Sequence, residues 1–473
     1  MTMCDACGIN RADRRPGGPV SLLLAAAAAG LLWLSFAQAW WNPIQDPDVF
    51  WQLWAGRQML AGEFPRTNTF SWTAPDTPWV PHEPLVALSY AAAGLEHVGL
   101  LRGIVVSLSA GMLAVLAWRR EAAWATLFAL CGCLVLVIYG RSERALSWGN
   151  LVLAAIACLV YRVPARHRWR MPLAAALVGV WANVHGSFVL GVLMLGLVHW
   201  RWGPLAAGLC LFNPSGWKLY ALVLGYGVGH EAQAFVHQAI PEWYPLDLTT
   251  PLGWLRLICL LAAGYLLMRD RQWRWVVLWA LVGILAVRHQ RFFDVLCIAL
   301  LAPVTDALAR RLPARQIAHP APLLAAAMFV TAIVSPRPAV DATMYPDPLL
   351  HDLPREARLW NEFHLGGWLG YHGRRCYWDP RNDCYPPDVL QDGLRIAKRW
   401  PGWGEALERR RIEAVLASDA ALLAALEADG WTATASHEGF KLLRPPHPVS
   451  RAASAPSSAP DERGSSARPA GTQ

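Results

Sequence analysis

Long apolar runs constrain this chain more than any motif in it. Where water is absent, the backbone polar groups of such a run must be satisfied within the protein, and helices do this segment by segment. Ser21 to Trp41 supplies a first span behind Arg11, Arg14 and Arg15. Further apolar segments fall at 84–96, 99–118, 122–140, 146–161, 171–200, 203–213, 216–229, 252–268, 273–287, 290–308 and 320–335. A crossing needs roughly 20 mostly apolar residues, and several of these segments are too short or too long for one, so about 11 to 13 crossings are expected. As a single helix, residues 171 to 200 would reach about 45 Å against a hydrocarbon core of about 30 Å. That run must tilt, emerge, or break near His185-Gly186.

At 55% hydrophobic and 16% charged, with 26 Trp, the composition excludes an ordinary soluble enzyme. The expected fold class is an all-α polytopic membrane bundle with a small α/β soluble C-terminal domain. Residues 1–20 read as a cytoplasmic N-terminal segment, held there by the arginine cluster. Residues 21–336 read as the transmembrane domain, with an external loop at 42–83. A cleaved signal peptide is the rival for residues 1–40, but the apolar run is long and no small-residue cleavage site precedes a soluble chain. From Pro336 the chain turns polar and mixed, and residues 337–447 suffice for a soluble α/β domain. Ile412–Leu416 and Phe440–Leu443 read as its strands, beside helices from Ala406 and Leu422. The tail 448–473, rich in Ser, Ala, Pro and Arg, reads as disordered.

The net charge of +8 rests on arginine, and no basic face on a soluble domain points to nucleic acid. Arg162 to Arg170 reads as a cytoplasmic loop. Cys4 and Cys7 lack a second ligand pair, which argues against zinc. Cys376 and Cys384 fall in a domain that an odd span count places outside the cytoplasm, so a disulfide there is one of two open alternatives.

The loop after the first span holds Asp46-Pro-Asp48 and the aromatics Phe50, Trp51, Trp54, Phe70, Trp72 and Trp79. It reads as a folded segment at the membrane interface, where amphipathic rings settle. Phe50, Leu53, Trp54 and Gln58 fit one side of a short helix over Val49–Ala61, with Asp48 at its N-cap and Asp46 in an Asp-Pro turn. The alternative is functional: carboxylates at the bilayer edge sit where a lipid-borne substrate presents its head group.

Asp46-x-Asp48-x-x-Trp51-x-x-x-x-Gly56, the turns Gly62-Glu-Phe-Pro65 and Thr69-Phe-Ser71, and Trp79 to Glu83 together resemble the first external loop of GT-C class glycosyltransferases. That class includes protein mannosyltransferases and bacterial lipid A aminoarabinose transferases, and the chain is most similar to its bacterial members. Trp181-Ala-Asn183-Val-His185-Gly186, Asn213-Pro-Ser-Gly216, Glu242-Trp243, Arg288-His289-Gln-Arg291, Gly366-Gly367-Trp368 and Trp378-Asp379-Pro-Arg381 look like family positions in the right order. Pro380 stands where those relatives usually have Gly.

The resemblance implies a GT-C-like bundle that transfers sugar from a polyprenyl-phosphate donor to an envelope lipid, glycan or protein, in the inner membrane, with the C-terminal domain periplasmic. It also implies a catalytic aspartate in the first loop, Asp48 or Asp46. Such chemistry needs a carboxylate base and a cation for the leaving phosphate. Arg288 and Arg291 are the phosphate candidates, since guanidinium forks bind phosphate bidentately; the alternative is ordinary positive-inside arginines. His82, Glu83, Asn183 and His185 complete the candidate substrate site. Asn183 and His185 lie within the longest apolar run, so they face either a wet substrate cavity or a satisfied hydrogen-bond network. A divalent metal is optional in the superfamily; Asp46, Asp48 and Glu83 are its candidate ligands, though no spacing compels one.

Arg141, Glu143 and Arg144 read as pairing with one another at a helix boundary. Asp379, Arg381 and Asp383 read as a salt-bridged turn. The rival functions are a transporter or flippase, which predicts inverted repeats that are not evident, and a non-catalytic envelope assembly protein.

Overall fold

A computed structural model describes residues 18–136, 142–228, 240–335, 339–353 and 355–446. Arg11, Arg14, Arg15, Cys4, Cys7, Arg141 and the 448–473 tail lie outside the described residues.

Four described helices are long and apolar enough to cross a membrane: Pro19–Phe36, Leu95–Ala117, Pro251–Arg269 and Phe292–Ala309. Shorter apolar helices join them at Pro84–Ala93, Ala123–Leu136, Ala145–Tyr161, Arg170–Trp181, Phe188–Val198 and Ala321–Val334. Their outer faces expose large apolar side chains, such as Leu23 at 70%, Ile258 at 57% and Phe329 at 67%. Exposed apolar surface on that scale is untenable in water and natural in lipid. This is a membrane protein.

The 171–200 run does break. Its first helix ends at Trp181 and the next begins at Phe188, with Asn183 and His185 in the turn between them. The helix Phe292–Ala309 is the central one, buried along nearly its whole length from Phe293 to Pro303. Its N-terminus carries Arg291.

The C-terminal segment folds around a four-stranded sheet of β1 (Leu359–Asn361), β2 (Ala414–Ala417), β3 (Thr432–His437) and β4 (Phe440–Arg444), in the order β1-β2-β4-β3. β1 runs parallel to β2, and the other pairings are antiparallel. All four residues of β2 are buried, which explains its continuous apolar sequence. The expected strands are β2 and β4, and the expected helices are Trp403–Arg409 and Ala420–Ala428. Asp419 starts the latter by accepting the Leu422 amide at 2.7 Å. Cys376 and Cys384 are both buried and unpaired.

The external loop is folded, as expected, and its rings pack against the C-terminal segment: Phe50, Trp51, Phe70 and Trp79 are buried in one core with Tyr345, Trp368 and Trp378. Burying such rings stabilises by roughly 1.5–3 kcal/mol each. Backbone bonds join the same pieces: Cys376 N donates to Phe70 O at 2.9 Å, and Asp341 N donates to Ile44 O at 3.0 Å.

Two glycines allow the loop helix Asp48–Leu60 to sit this closely. A Cβ on Gly56 would come within 2.0 Å of the Ala87 carbonyl oxygen, and one on Gly367 within 3.0 Å of the Pro47 carbonyl oxygen. The loop helix is thus wedged between the Pro84–Ala93 helix and the Leu365–Tyr371 helix of the C-terminal domain.

Candidate functional site

Pro47 starts the loop helix, its φ of −68° already helical. Asp46, not Asp48, satisfies the first orphan amide: its Oδ1 accepts from Asp48 N at 3.0 Å. The expected capping role therefore belongs to Asp46. Asp48 lies inside the first turn with no side-chain cap bond, and its Oδ1 accepts from Trp51 Nε1 at 3.0 Å. The other oxygen, Oδ2, is 3.9 Å from Arg144 Nε.

Arg144 precedes the Ala145–Tyr161 helix and reaches three carboxylates. Its Nε donates to Asp46 Oδ2 at 2.5 Å, its Nη1 donates to Glu242 Oε2, and Asp48 is its longer contact. Glu242, in the short turn Pro241–Trp243, also pairs through Oε1 with Arg291 Nη1 at 3.1 Å. Arg291 lies 4.5 Å above the Trp243 ring, and its Nη2 is 3.3 Å from His185 Nε2. His185 Nδ1 is held 2.7 Å from Ser187 Oγ. A continuous chain of charge runs from Asp46 and Asp48 through Arg144 and Glu242 to Arg291, which ends against the His185 ring.

A second group stands beside it. Glu83 accepts from Gln52 Nε2 at 2.6 Å, and its Oε1 is 3.5 Å from His82 Nε2. Burial favours a neutral His82 ring, but Glu83 and Asp383 outweigh it and raise the ring to about 9. Burial likewise opposes ionisation of Glu83, yet His82 and Gln52 bring it below its ordinary value. Asp383 comes from the C-terminal domain, where burial pushes it up to about 6 against the pull of His82 and Arg381. In the loop, burial pushes Asp46 up to about 7, opposed by Arg144, and raises Asp48 in the same way.

Several expectations change. Glu143 and Arg144 do not pair with each other: Glu143 Oε2 meets Arg102 Nη1 at 2.9 Å in the interior, while Arg144 turns to the loop aspartates. Arg288 and Arg291 part company. Arg291 enters the charged chain, whereas Arg288 is exposed on the last turn of Trp273–Arg288 with no hydrogen bond or ion pair among the described residues. Asn183 is structural, its amide donating to Gly179 O at 3.2 Å and Phe212 O at 3.0 Å. His185 joins the cluster. Of the expected salt-bridged turn, Asp379 and Arg381 pair through Oδ1–Nε and Oδ2–Nη2 bonds of 2.9 Å each, whereas Asp383 makes no ion pair among the described residues. Arg381 also donates to Asn68 of the loop at 3.0 Å and covers the Phe70 ring at 4.0 Å, so the turn fastens loop to domain.

No protein-family profile matches the chain, and no curated protein matches it. Among solved structures it is similar to the archaeal oligosaccharyltransferase AglB from Archaeoglobus fulgidus, determined in complex with an inhibitory peptide and a dolichol-phosphate. The likeness has a TM-score of 0.46 and 12% identity, and covers 84% of this chain and 69% of that one. At that distance it assigns neither residues nor chemistry, and the site stands on its own geometry.

Reading the sequence missed two members of the cluster as site residues, Arg144 and Glu242. Both had drawn notice, one at a helix boundary and one in Glu242-Trp243, but 98 residues separate each pair Asp46/Arg144 and Arg144/Glu242. For a metal, the candidate donors fit poorly. Asp46 commits its oxygens to Asp48 N and Arg144, and Glu83 commits its own to Gln52 and His82. Among the described residues no three His, Cys, Asp or Glu groups converge as a ligand set.

Proposed function

We propose that this chain is a GT-C-type glycosyltransferase of the cytoplasmic (inner) membrane, with about 11 to 13 crossings. It would transfer a sugar from a polyprenyl-phosphate donor to an envelope acceptor, with the C-terminal domain on the periplasmic side. The observation that carries this reading is the Asp48 carboxylate. One oxygen is oriented by Trp51 and the other, 3.9 Å from Arg144, stays without a close donor, while Arg291 joins Arg144 through Glu242.

Asp48 is the general base, taking the proton from the acceptor hydroxyl or amine as that atom attacks the anomeric carbon. The bond from that carbon to the phosphate oxygen breaks, and the electron pair leaves with the polyprenyl phosphate. Arg291, with Arg144 behind it, stabilises the departing phosphate. Glu242 positions both guanidiniums, and Asp46 positions Arg144. His82, Glu83 and His185 line the approach, and no step needs a metal.

The test is turnover of radiolabelled polyprenyl-phosphate sugars by the purified wild type and by Asp46→Asn and Asp48→Asn variants of equal folding, with membrane extract as acceptor. Consumption by the wild type that is lost in Asp48→Asn is expected. No consumption of any donor by the wild type would instead favour a transporter or an assembly protein.

A further inference from the structure

The seam between loop and C-terminal domain holds a second, open space. A cleft of about 370 Å³ is lined by Trp72 of the loop and by Glu356, Arg358, Arg375, Arg409 and Arg410 of the domain. Its walls are tied together, since Trp72 N donates to Cys376 O at 3.1 Å and Trp72 Nε1 donates to Leu359 O at 2.9 Å.

Four arginines line it against one carboxylate, that of Glu356. Asp392 alone accepts from three arginines, Arg395 Nη1 at 3.0 Å, Arg409 Nη2 at 2.5 Å and Arg410 Nε at 2.8 Å. Asp388 takes a further bond from Arg410 at 2.6 Å. Arg358 and Arg375 are exposed, and neither guanidinium has an ion pair among the described residues; the one carboxylate bonded to Arg358 is Glu413, whose Oε2 accepts from the Arg358 backbone amide at 3.1 Å. Arg358 sits 5.8 Å over the Trp72 ring. Guanidinium groups of one sign gathered in a cleft repel one another, and a bound anion relieves that repulsion through bidentate bonds.

We propose that this cleft binds a phosphate or carboxylate group, with Arg358 and Arg375 as its principal donors and Arg409 and Arg410 as the paired wall behind them. The anion is carried either by a lipid headgroup or by a soluble molecule. Cleft and charged cluster lie at the two ends of one stretch of chain, since Arg375 opens on the cleft while Asp383 faces His82. The site stands independently of the chemistry assigned to Asp48.

Equilibrium dialysis of radiolabelled inorganic phosphate against the full-length protein in detergent tests this directly. The wild type and Arg288→Gln, an exposed arginine outside the cleft, should bind alike, and Arg358→Gln/Arg375→Gln should bind at least about tenfold more weakly, an effect that added salt reproduces in the wild type. Both substituted arginines are exposed, and circular dichroism checks that the double variant folds. Displacement of phosphate by phosphatidylglycerol vesicles, but not by phosphatidylcholine vesicles, identifies a headgroup; no displacement by either identifies a soluble anion, and both results uphold the site. Equal binding by wild type and double variant, no phosphate binding by the wild type, or an equal loss of binding in Arg288→Gln would overturn it.

Discussion

Glu143 and Arg144 are neighbours in sequence and opposites in structure. Glu143 and Arg102 are almost fully enclosed, at 3% and 2% exposure. Arg102 donates to the carbonyls of Ala39 and Asn42 at 2.9 and 2.5 Å as well as to Glu143. Glu143 in turn accepts from the backbone of Gln45 at 2.8 Å and of Asp46 at 3.2 Å. Arg144 is a quarter exposed and is shared among Asp46, Asp48 and Glu242. A buried ion pair whose remaining bonds are all made fixes a shape. An arginine divided among three carboxylates, with access to solvent, is poised to exchange partners, as a site for a charged substrate requires. The closed pair sets the register of the loop, and the open one presents its chemistry.

Substituting the open side should cost activity without cost in folding. Asp48→Asn should lower turnover by about 10²–10⁴-fold, the usual contribution of a positioned base, with an unchanged melting curve in detergent. A variant that kept more than a tenth of wild-type turnover would remove Asp48 from the role of base. On the closed side the loss should fall on stability instead. Glu143→Gln leaves Arg102 buried without its counter-charge, which destabilises by about 3–5 kcal/mol. Thermal unfolding checks this, and a normal melting temperature would mean that the two assemblies do not differ as described.

How much of this contrast the sequence carried depends on the distance over which each contact acts. Helix positions, the break after Trp181 and the strands β2 and β4 follow from local periodicity and turn residues, so they could be read in advance. The Asp379–Arg381 turn also closes within three residues. Arg102 to Glu143 and Arg144 to Glu242 are tertiary contacts that no local pattern announces. The swap of roles between Asp46 and Asp48 turns on which carboxylate reaches the Asp48 amide, and Asp-Pro-Asp spacing serves either. The aromatic loop could be read as folded, but its partners could not: Tyr345, Trp368 and Trp378 lie about 300 residues away, and no local pattern announces that the loop rings pack against them.

The open cluster should also announce itself through pH. Asp46, near 7, must be ionised to hold Arg144, and Asp48, raised in the same direction, must be ionised to accept a proton. Activity should therefore rise roughly tenfold per pH unit below about 7. The two aspartates interact, so this limb belongs to the pair. At the alkaline end His82 loses its proton near 9, freeing Glu83 from its partner and lowering activity again. For stability the sign is reversed. A carboxyl whose folded value lies above its unfolded one favours folding while protonated, and that contribution from Asp46 is lost between about pH 4 and 7. A flat kcat/KM profile from pH 5 to 8 would separate these carboxylates from the reaction.

The smallest expected effect is the sharpest test of where the open cluster ends. Arg288 and Arg291 stand three residues apart at one helix junction, and sequence alone gives them the same standing as phosphate ligands. Arg291 is enclosed by Glu242, Trp243 and His185, whereas Arg288 projects from the last helical turn. Arg288→Gln should change donor KM by less than about twofold, as expected of an exposed charge screened by solvent. Arg291→Gln should raise it by about 10-fold or more, the loss of a charge-assisted contact. Equal losses in the two variants would move the phosphate outward to the helix ends, and the bridge from Arg144 through Glu242 to Arg291 would then be structural like the pair beside it.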